Sequence, residues 1–153
     1  MHPIEDLLHQ HPFFGQFDNA TIALLAGCGS NVHFHPGEAL FHESGQADAF
    51  FVVRTGRVSI QVHDPAVGDV VVDTVDAGEV VGWSWIVAPY RWSFDAVATL
   101  ETSAVRFDAE CLRAKCDADP AVGYTFLRQV TQVMAHRLTS ARTRLLDLYG
   151  ERS

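Results

Sequence analysis

The sequence predicts a mainly β protein, a sandwich, jelly roll or barrel of about eight strands, with short helices before it and one long helix after it. Three observations carry that expectation. Turn-forming pairs recur about every 8 to 12 residues from Asn31 onward, the spacing of short strands joined by tight connections. The apolar runs between them either alternate or are short and unbroken, and none has a helical period. Beyond Asp119 the apolar residues recur at steps of three and four instead.

The elements follow in chain order. Residues 1–28 read as short helices: in "FDNATIALLAGCG", Asp18 is placed to cap, Ile22, Leu24 and Leu25 supply apolar contacts, and Gly27 stands where the helix would stop. Over residues 31–107 come "VHFH", "ALF", "AFFVV", "RVSIQV", "DVVVDTV", "EVVGW", "SFDAVATL" and "SAVRF". They are parted by turn signals such as Pro36-Gly37, Ser44-Gly45, Thr55-Gly56 and Asp76-Ala77-Gly78. In "RVSIQV", Val58, Ile60 and Val62 fall on one face and Ser59 and Gln61 on the other, as a half-buried strand requires. Residues 108–150 are helical again. Asp108 caps a short helix reaching Cys116, and Asp119 caps a long one with Pro120 at its first position. Along the latter, Leu127, Val130, Met134, Leu138, Ala141, Leu145 and Leu148 form one apolar stripe over about six turns. Such a stripe can pack on its own sheet or meet its copy in a parallel, coiled-coil-like pair; since a helix of that length overhangs a small sandwich, the homodimer is expected.

Composition excludes several classes. A chain of 153 residues, 48% of them hydrophobic and 20% charged, is expected to fold around one core as one domain, 1–153, rather than stay disordered. A formal charge of -8 with thinly spread Lys and Arg argues against direct contact with nucleic acid, whose affinity comes from neutralising phosphates. No apolar run approaches the ~20 residues that span a bilayer, so no membrane partner is expected. The start "MHPIEDLLHQHPFF" lacks the basic and apolar regions of a secretory signal, which predicts a cytoplasmic protein. Cys28, Cys111 and Cys116 match no zinc or redox spacing and are expected to be buried free thiols.

The stretches "HPGEALFHESGQADAFFVVRTGRVSIQV" and "DAGEVVGW" resemble the cyclic nucleotide-binding domain family, which includes the sensor domains of the catabolite-activator and Fnr regulators. The likeness lies in the Gly37-Glu38 turn, the Gly45 turn, the "FFVVRTGRVSI" hairpin and the entry into a phosphate-binding cassette, and it covers about residues 10–148. It implies a double-stranded β-helix, a jelly roll of cupin-like build. The family's regulators continue into a helix-turn-helix domain, whereas this chain ends at Ser153. The resemblance therefore implies a non-catalytic regulatory module that signals through its dimer helix or a partner protein.

It also implies a ligand site, since the family binds cyclic nucleotides. An arginine and backbone N–H groups suit the phosphate, and a carboxylate suits the ribose hydroxyl. The family's cassette reads roughly Phe-Gly-Glu, then Pro-Arg and small residues; here it is "VGWSWIVAPYRWSF". The candidate ligand-binding residues are Gly82, Trp83, Ser84, Trp85, Arg91, Trp92 and Ser93. Gly82 matches, Trp83 stands in the glutamate's place, and Arg91 lies one residue closer to the glycine than the pattern asks. An indole N–H only donates, so it cannot accept from the ribose. An unpaired buried hydroxyl costs about 1–3 kcal/mol, or roughly 5- to 150-fold in affinity. Weak or absent binding of cAMP and cGMP is expected. The aromatic residues have two readings: they fill the old pocket, or they line a reshaped one in which Arg91 holds a small anionic ligand.

A rival constellation is His33, His35 and Glu38, which resembles the first metal motif of the cupins with a one-residue departure. Histidines at i and i+2 share a strand face, so an ion held by nitrogen and oxygen is chemically reasonable there. The second cupin motif has no match, and this alternative of a small metalloenzyme ranks behind the regulatory reading, as does an accessory subunit docking on a larger enzyme. No nucleophile elbow, phosphate-binding loop or Cys-x-x-Cys is present. The sequence calls for no resident cofactor.

Overall fold

The computed structural model describes residues 3–151. Helix α1 (Pro3–Gln10) and a single 3₁₀ turn (Pro12–Phe14) lead into α2 (Asn19–Ala26). The Asp18 carboxylate caps α2 by accepting from Thr21 N–H at 2.8 Å, and Gly27 closes it. Ile22 and Leu25 are buried, but Leu24 faces solvent, because a two-turn helix has room for only one apolar edge on the sheet.

Eight strands follow: β1 (Gly29–Phe34), β2 (Ala39–Phe41), β3 (Ala49–Thr55), β4 (Arg57–Asp64), β5 (Gly68–Asp76), β6 (Val80–Val81), β7 (Asp95–Ala98) and β8 (Thr102–Asp108). Every strand pairs antiparallel, in two four-stranded sheets of order β1-β8-β3-β6 and β2-β7-β4-β5. Each of the eight runs read from the sequence becomes a strand. The alternation in β4 is only partly kept, since Ser59 is as buried as its apolar neighbours and shares its hydroxyl with Gln61 and the Val97 carbonyl.

Helix α3 (Ala109–Ala118) is capped by Asp108, and α4 (Pro120–Glu151) starts where Asp119 accepts from Ala121 N–H. The inner ends of the sheets and all four helices share one buried cluster. Phe126 of α4 is its hinge pin: the ring meets Phe13, Phe14, Phe17, Phe50 and Trp85, with centroids 5.1–6.3 Å away. Beyond Val130 the helix leaves this cluster. The expected single stripe is therefore two rows: Val130 packs inward with Val122 and Phe126, at 4% exposure. Leu127, Leu145 and Leu148 face outward, and Met134, Leu138 and Ala141 also lie outside the core, with Leu138 72% exposed. Steps of three and four drift around a straight helix, so one row cannot serve both the core and a distant partner over 32 residues.

The cysteines are corrected too. Cys28 and Cys111 form a disulfide, and Cys116 alone is free. The β1–β8 register puts Gly29 opposite Phe107 and Cys28 beside the start of α3, so two cysteines 83 residues apart arrive with their Cα atoms 5.7 Å from each other. That pairing is invisible in linear spacing. Disulfides are rare in reducing compartments, which weighs against the cytoplasmic expectation. Burial pushes the Cys116 thiol up to about 11, with Asp117 adding to the effect, so it is a poor nucleophile. No helix among the described residues is long and apolar enough to cross a membrane.

Candidate functional site

The cassette between β6 and β7 holds a 3₁₀ turn (Ser84–Ile86) and distributes its aromatics to three different places. Trp85 is completely buried, its ring 5.8 Å from Phe50 and perpendicular to Phe126 at 5.7 Å, while Arg113 donates to its carbonyl at 2.7 Å. Trp92 is buried as well and lies flat on Phe41, with centroids 3.7 Å apart and planes at 11°. Gly82 makes that stack fit: it has φ +92°, and a Cβ there would stand 2.8 Å from the Trp92 ring. These two indoles are filling.

Trp83 is different. It is half-buried, meets Phe94 edge-on at 5.9 Å, and forms a wall of a groove of about 590 Å³ between α4 and the β4–β5 hairpin. Ile60, Val72 and Phe94 line the sheet side, and Thr131, Met134, Leu138 and Ala141 the helix side. Its charged groups cluster at one end. Arg137 donates to Asp73 at 2.7 Å and to the Val80 carbonyl at 2.8 Å, and its guanidinium lies 5.7 Å from the Trp83 ring centre. Arg144 donates to the Val72 carbonyl at 2.6 Å and to Asp73 at 3.0 Å. Burial would raise the Asp73 carboxyl, but the bonds from the Thr74 backbone and the two arginines, with the charge of Arg137, outweigh it and hold it below the ordinary carboxylate range. The result is a two-pronged clamp that fastens α4 to β5.

Of the seven ligand-binding candidates, Trp83 alone lines this groove. Ser84 is buried and Ser93 exposed, both away from it. Arg91 is a correction to the anion-binding expectation: it is exposed, bridges to Gln46 and reaches only the Ser44 carbonyl at 3.4 Å. Tyr90, just before it, takes a left-handed φ of 58° and stacks on Arg113 at 4.6 Å, which turns the cassette arginine outward. Asp73, Arg137 and Arg144 were not singled out from the sequence, because nothing local marks a strand acid as the partner of helix residues 64 and 71 positions later. Three residues assigned to the dimer stripe, Met134, Leu138 and Ala141, line the groove instead of standing clear of it.

The proposed metal triad is also redrawn. Glu38 turns back to accept from the His35 backbone N–H at 2.6 Å. The carboxylate that meets both imidazoles is Glu101, in the turn before β8. Its hydrogen bond raises the His35 imidazole above its ordinary range, and the two histidines lower Glu101 in return.

Two four-stranded antiparallel sheets, a cassette between β6 and β7, and a long helix closing a groove over it define a cyclic nucleotide-binding type of fold. The chain belongs to the cyclic nucleotide-binding domain family, which matches residues 31–119. Among solved structures, a Geobacter metallireducens protein classed with the cyclic nucleotide-binding proteins superposes with a TM-score of 0.81 at 23% identity, over 90% of this chain and 99% of that one. A cyclic nucleotide-binding domain from Methylobacillus flagellatus gives 0.79 at 22% identity, over 94% of this chain and 81% of its own. The regulatory subunit of a cAMP-independent protein kinase A from Trypanosoma cruzi, bound to guanosine, gives 0.63 at 23% identity, over 85% of this chain and 50% of that one. No curated protein matches the chain.

Proposed function

We propose that the chain is a non-catalytic, ligand-sensing regulatory module whose groove has departed from the cyclic nucleotide pattern. One observation carries this reading: the cassette arginine, Arg91, stands outside the groove, and the groove's own arginines are committed to the clamp. Arg137 and Arg144 share Asp73 and also donate to the Val80 and Val72 carbonyls, so a cyclic phosphate would have to draw a guanidinium out of those bonds. Trp83 adds a second penalty where a ribose would need an acceptor. A flat, mostly uncharged ring system suits the remaining surface, stacking on Trp83 and Phe94 and touching Thr131. The guanosine-bound relative, carrying a nucleoside without phosphate, supports that ligand class for this fold.

Calorimetric titration tests this directly. Neither cAMP nor cGMP is expected to bind with a micromolar dissociation constant, and a saturable micromolar isotherm for either would overturn the reading.

The output is proposed to travel through α4, since a ligand wedged between Trp83 and Met134 must displace the helix or tighten its clamp. A second copy is the proposed receiver, through residues 122–148, with a partner protein as the other candidate. The exposed Leu127, Leu145 and Leu148, clear of the groove, support a helix-to-helix contact. Sedimentation is expected to give a dimer, and Leu145→Lys with Leu148→Lys to shift it to monomer; a wild-type monomer at micromolar concentration would remove this part.

A further inference from the structure

We propose that His33, His35 and Glu101 form a binding site for one divalent transition-metal ion, with zinc the best match, on the face of the β1–β8 pair. The site is distinct from the groove and carries no catalysis; its role is to fasten the end of edge strand β1 to the turn before β8.

The placement follows from strand geometry. Residues two apart on a strand point to the same face, so His33 and His35 project together from the end of β1. β1 is the edge of its sheet, and its register against β8 sets His33 opposite Ser103 and Phe34 opposite Thr102, which carries Glu101 to the same corner. His33 Nε2 lies 2.5 Å from one Glu101 oxygen, and His35 Nδ1 lies 2.9 Å from the other. All three donor atoms fall within 4.8 Å of one another, and this is the one such cluster among the described residues.

Three features separate the cluster from an ordinary surface ion pair. The donors are two imidazole nitrogens and one carboxylate oxygen, a set that suits ions of the zinc, copper and nickel kind rather than calcium or magnesium. The outer contacts already orient the ligands: Glu38 pins the His35 backbone at 2.6 Å, and Ser103 Oγ lies 3.4 Å from His33 Nδ1. With that nitrogen protonated and donating to Ser103, Nε2 is the ring nitrogen left to bind an ion. Lastly, the side chains are 49%, 70% and 58% exposed, so a hydrated ion reaches them and water can complete the shell. In a tetrahedral shell with bonds of about 2.0–2.1 Å, ligand atoms sit about 3.3 Å apart. Opening the present contacts to that spacing moves each exposed side chain by less than about 1 Å.

The test uses the full chain, freed of metal by a chelator and titrated with zinc chloride against a chromophoric competitor. One equivalent is expected to bind, and His33→Ala, His35→Ala and Glu101→Gln are each expected to weaken it at least about tenfold. His63→Ala, at a separate exposed His63–Asp69 pair, is expected to leave the affinity unchanged. Zinc should raise the melting temperature of the wild type and not of the Glu101→Gln protein. Cobalt in place of zinc should give the intense visible bands of a four-coordinate site. No stoichiometric binding, or an affinity that survives the combined His33→Ala, His35→Ala, Glu101→Gln replacement, would overturn the proposal. Neither result bears on the groove.

Discussion

Trp85→Ala is expected to cost about 3–5 kcal/mol of folding stability, the range for emptying a fully buried large aromatic site. Trp83→Ala, two residues earlier, is expected to cost about 1–2 kcal/mol, since it widens a groove that already meets water and leaves no sealed void. The contrast comes from position alone. Trp85 has no exposed surface and sits between Phe50 and Phe126, the residues that join the sheet to α4. Trp83 meets Phe94 edge-on, has the Arg137 guanidinium 5.7 Å from its ring centre, and otherwise borders the groove. Denaturant unfolding of the two variants measures both costs. Equal losses would mean that Trp83 is filling like its neighbours and that the groove has no ligand-facing wall. Trp83→Glu sharpens the test: placing a carboxylate there is not expected to restore cAMP binding, because Arg91 stands outside the groove and Arg137 and Arg144 are held in the clamp with Asp73.

Asp73→Ala is expected to cost about 2–4 kcal/mol, below the limit for breaking a fully buried ion pair because the site is partly wet. The side chain of Arg137 is only 12% exposed, and without Asp73 it keeps the Val80 carbonyl as its acceptor but loses its counter-charge. Arg144 is more than half exposed and can turn to water, so most of the loss falls on Arg137. Hydrogen exchange along α4 after Val130 should rise in the variant, while the segment around Phe126 stays protected. The pH dependence has a definite sign. A carboxyl held below its ordinary value stabilises the fold fully above the unfolded carboxylate range, near pH 4, and the contribution is lost as pH falls through the folded value. The stability gap between wild type and Asp73→Asn should therefore be flat from about pH 8 to about pH 5 and shrink in acid below about pH 4. A gap that grew in acid would assign the clamp to another group.

Together these residues line one groove between the sheet and α4. Met134, Leu138 and Ala141 face it from α4, and Asp73 and Trp83 face it from the sheet side.

Much of the fold was legible. Strand runs, turn pairs and the caps at Asp18, Asp108 and Asp119 are local, and each became the element its pattern called for. The failures are non-local. Leu24 and Ser59 were assigned faces from periodicity, but which face is covered depends on what packs there. The stretch read as a cassette lies between β6 and β7, and no linear pattern shows that within it Tyr90 takes a left-handed turn and stacks on Arg113 while Arg91 stays exposed.

Chain order alone therefore determined the element sequence and the family, since period and turn chemistry are properties of residues in line. Tertiary structure decided which tryptophan fills and which faces the groove, that Cys28 meets Cys111, that Glu101 rather than Glu38 joins His33 and His35, and that Asp73 holds α4. The last three are contacts across 60 or more residues, set by strand register and helix placement, and register is a collective outcome of the whole core that no short window of sequence contains.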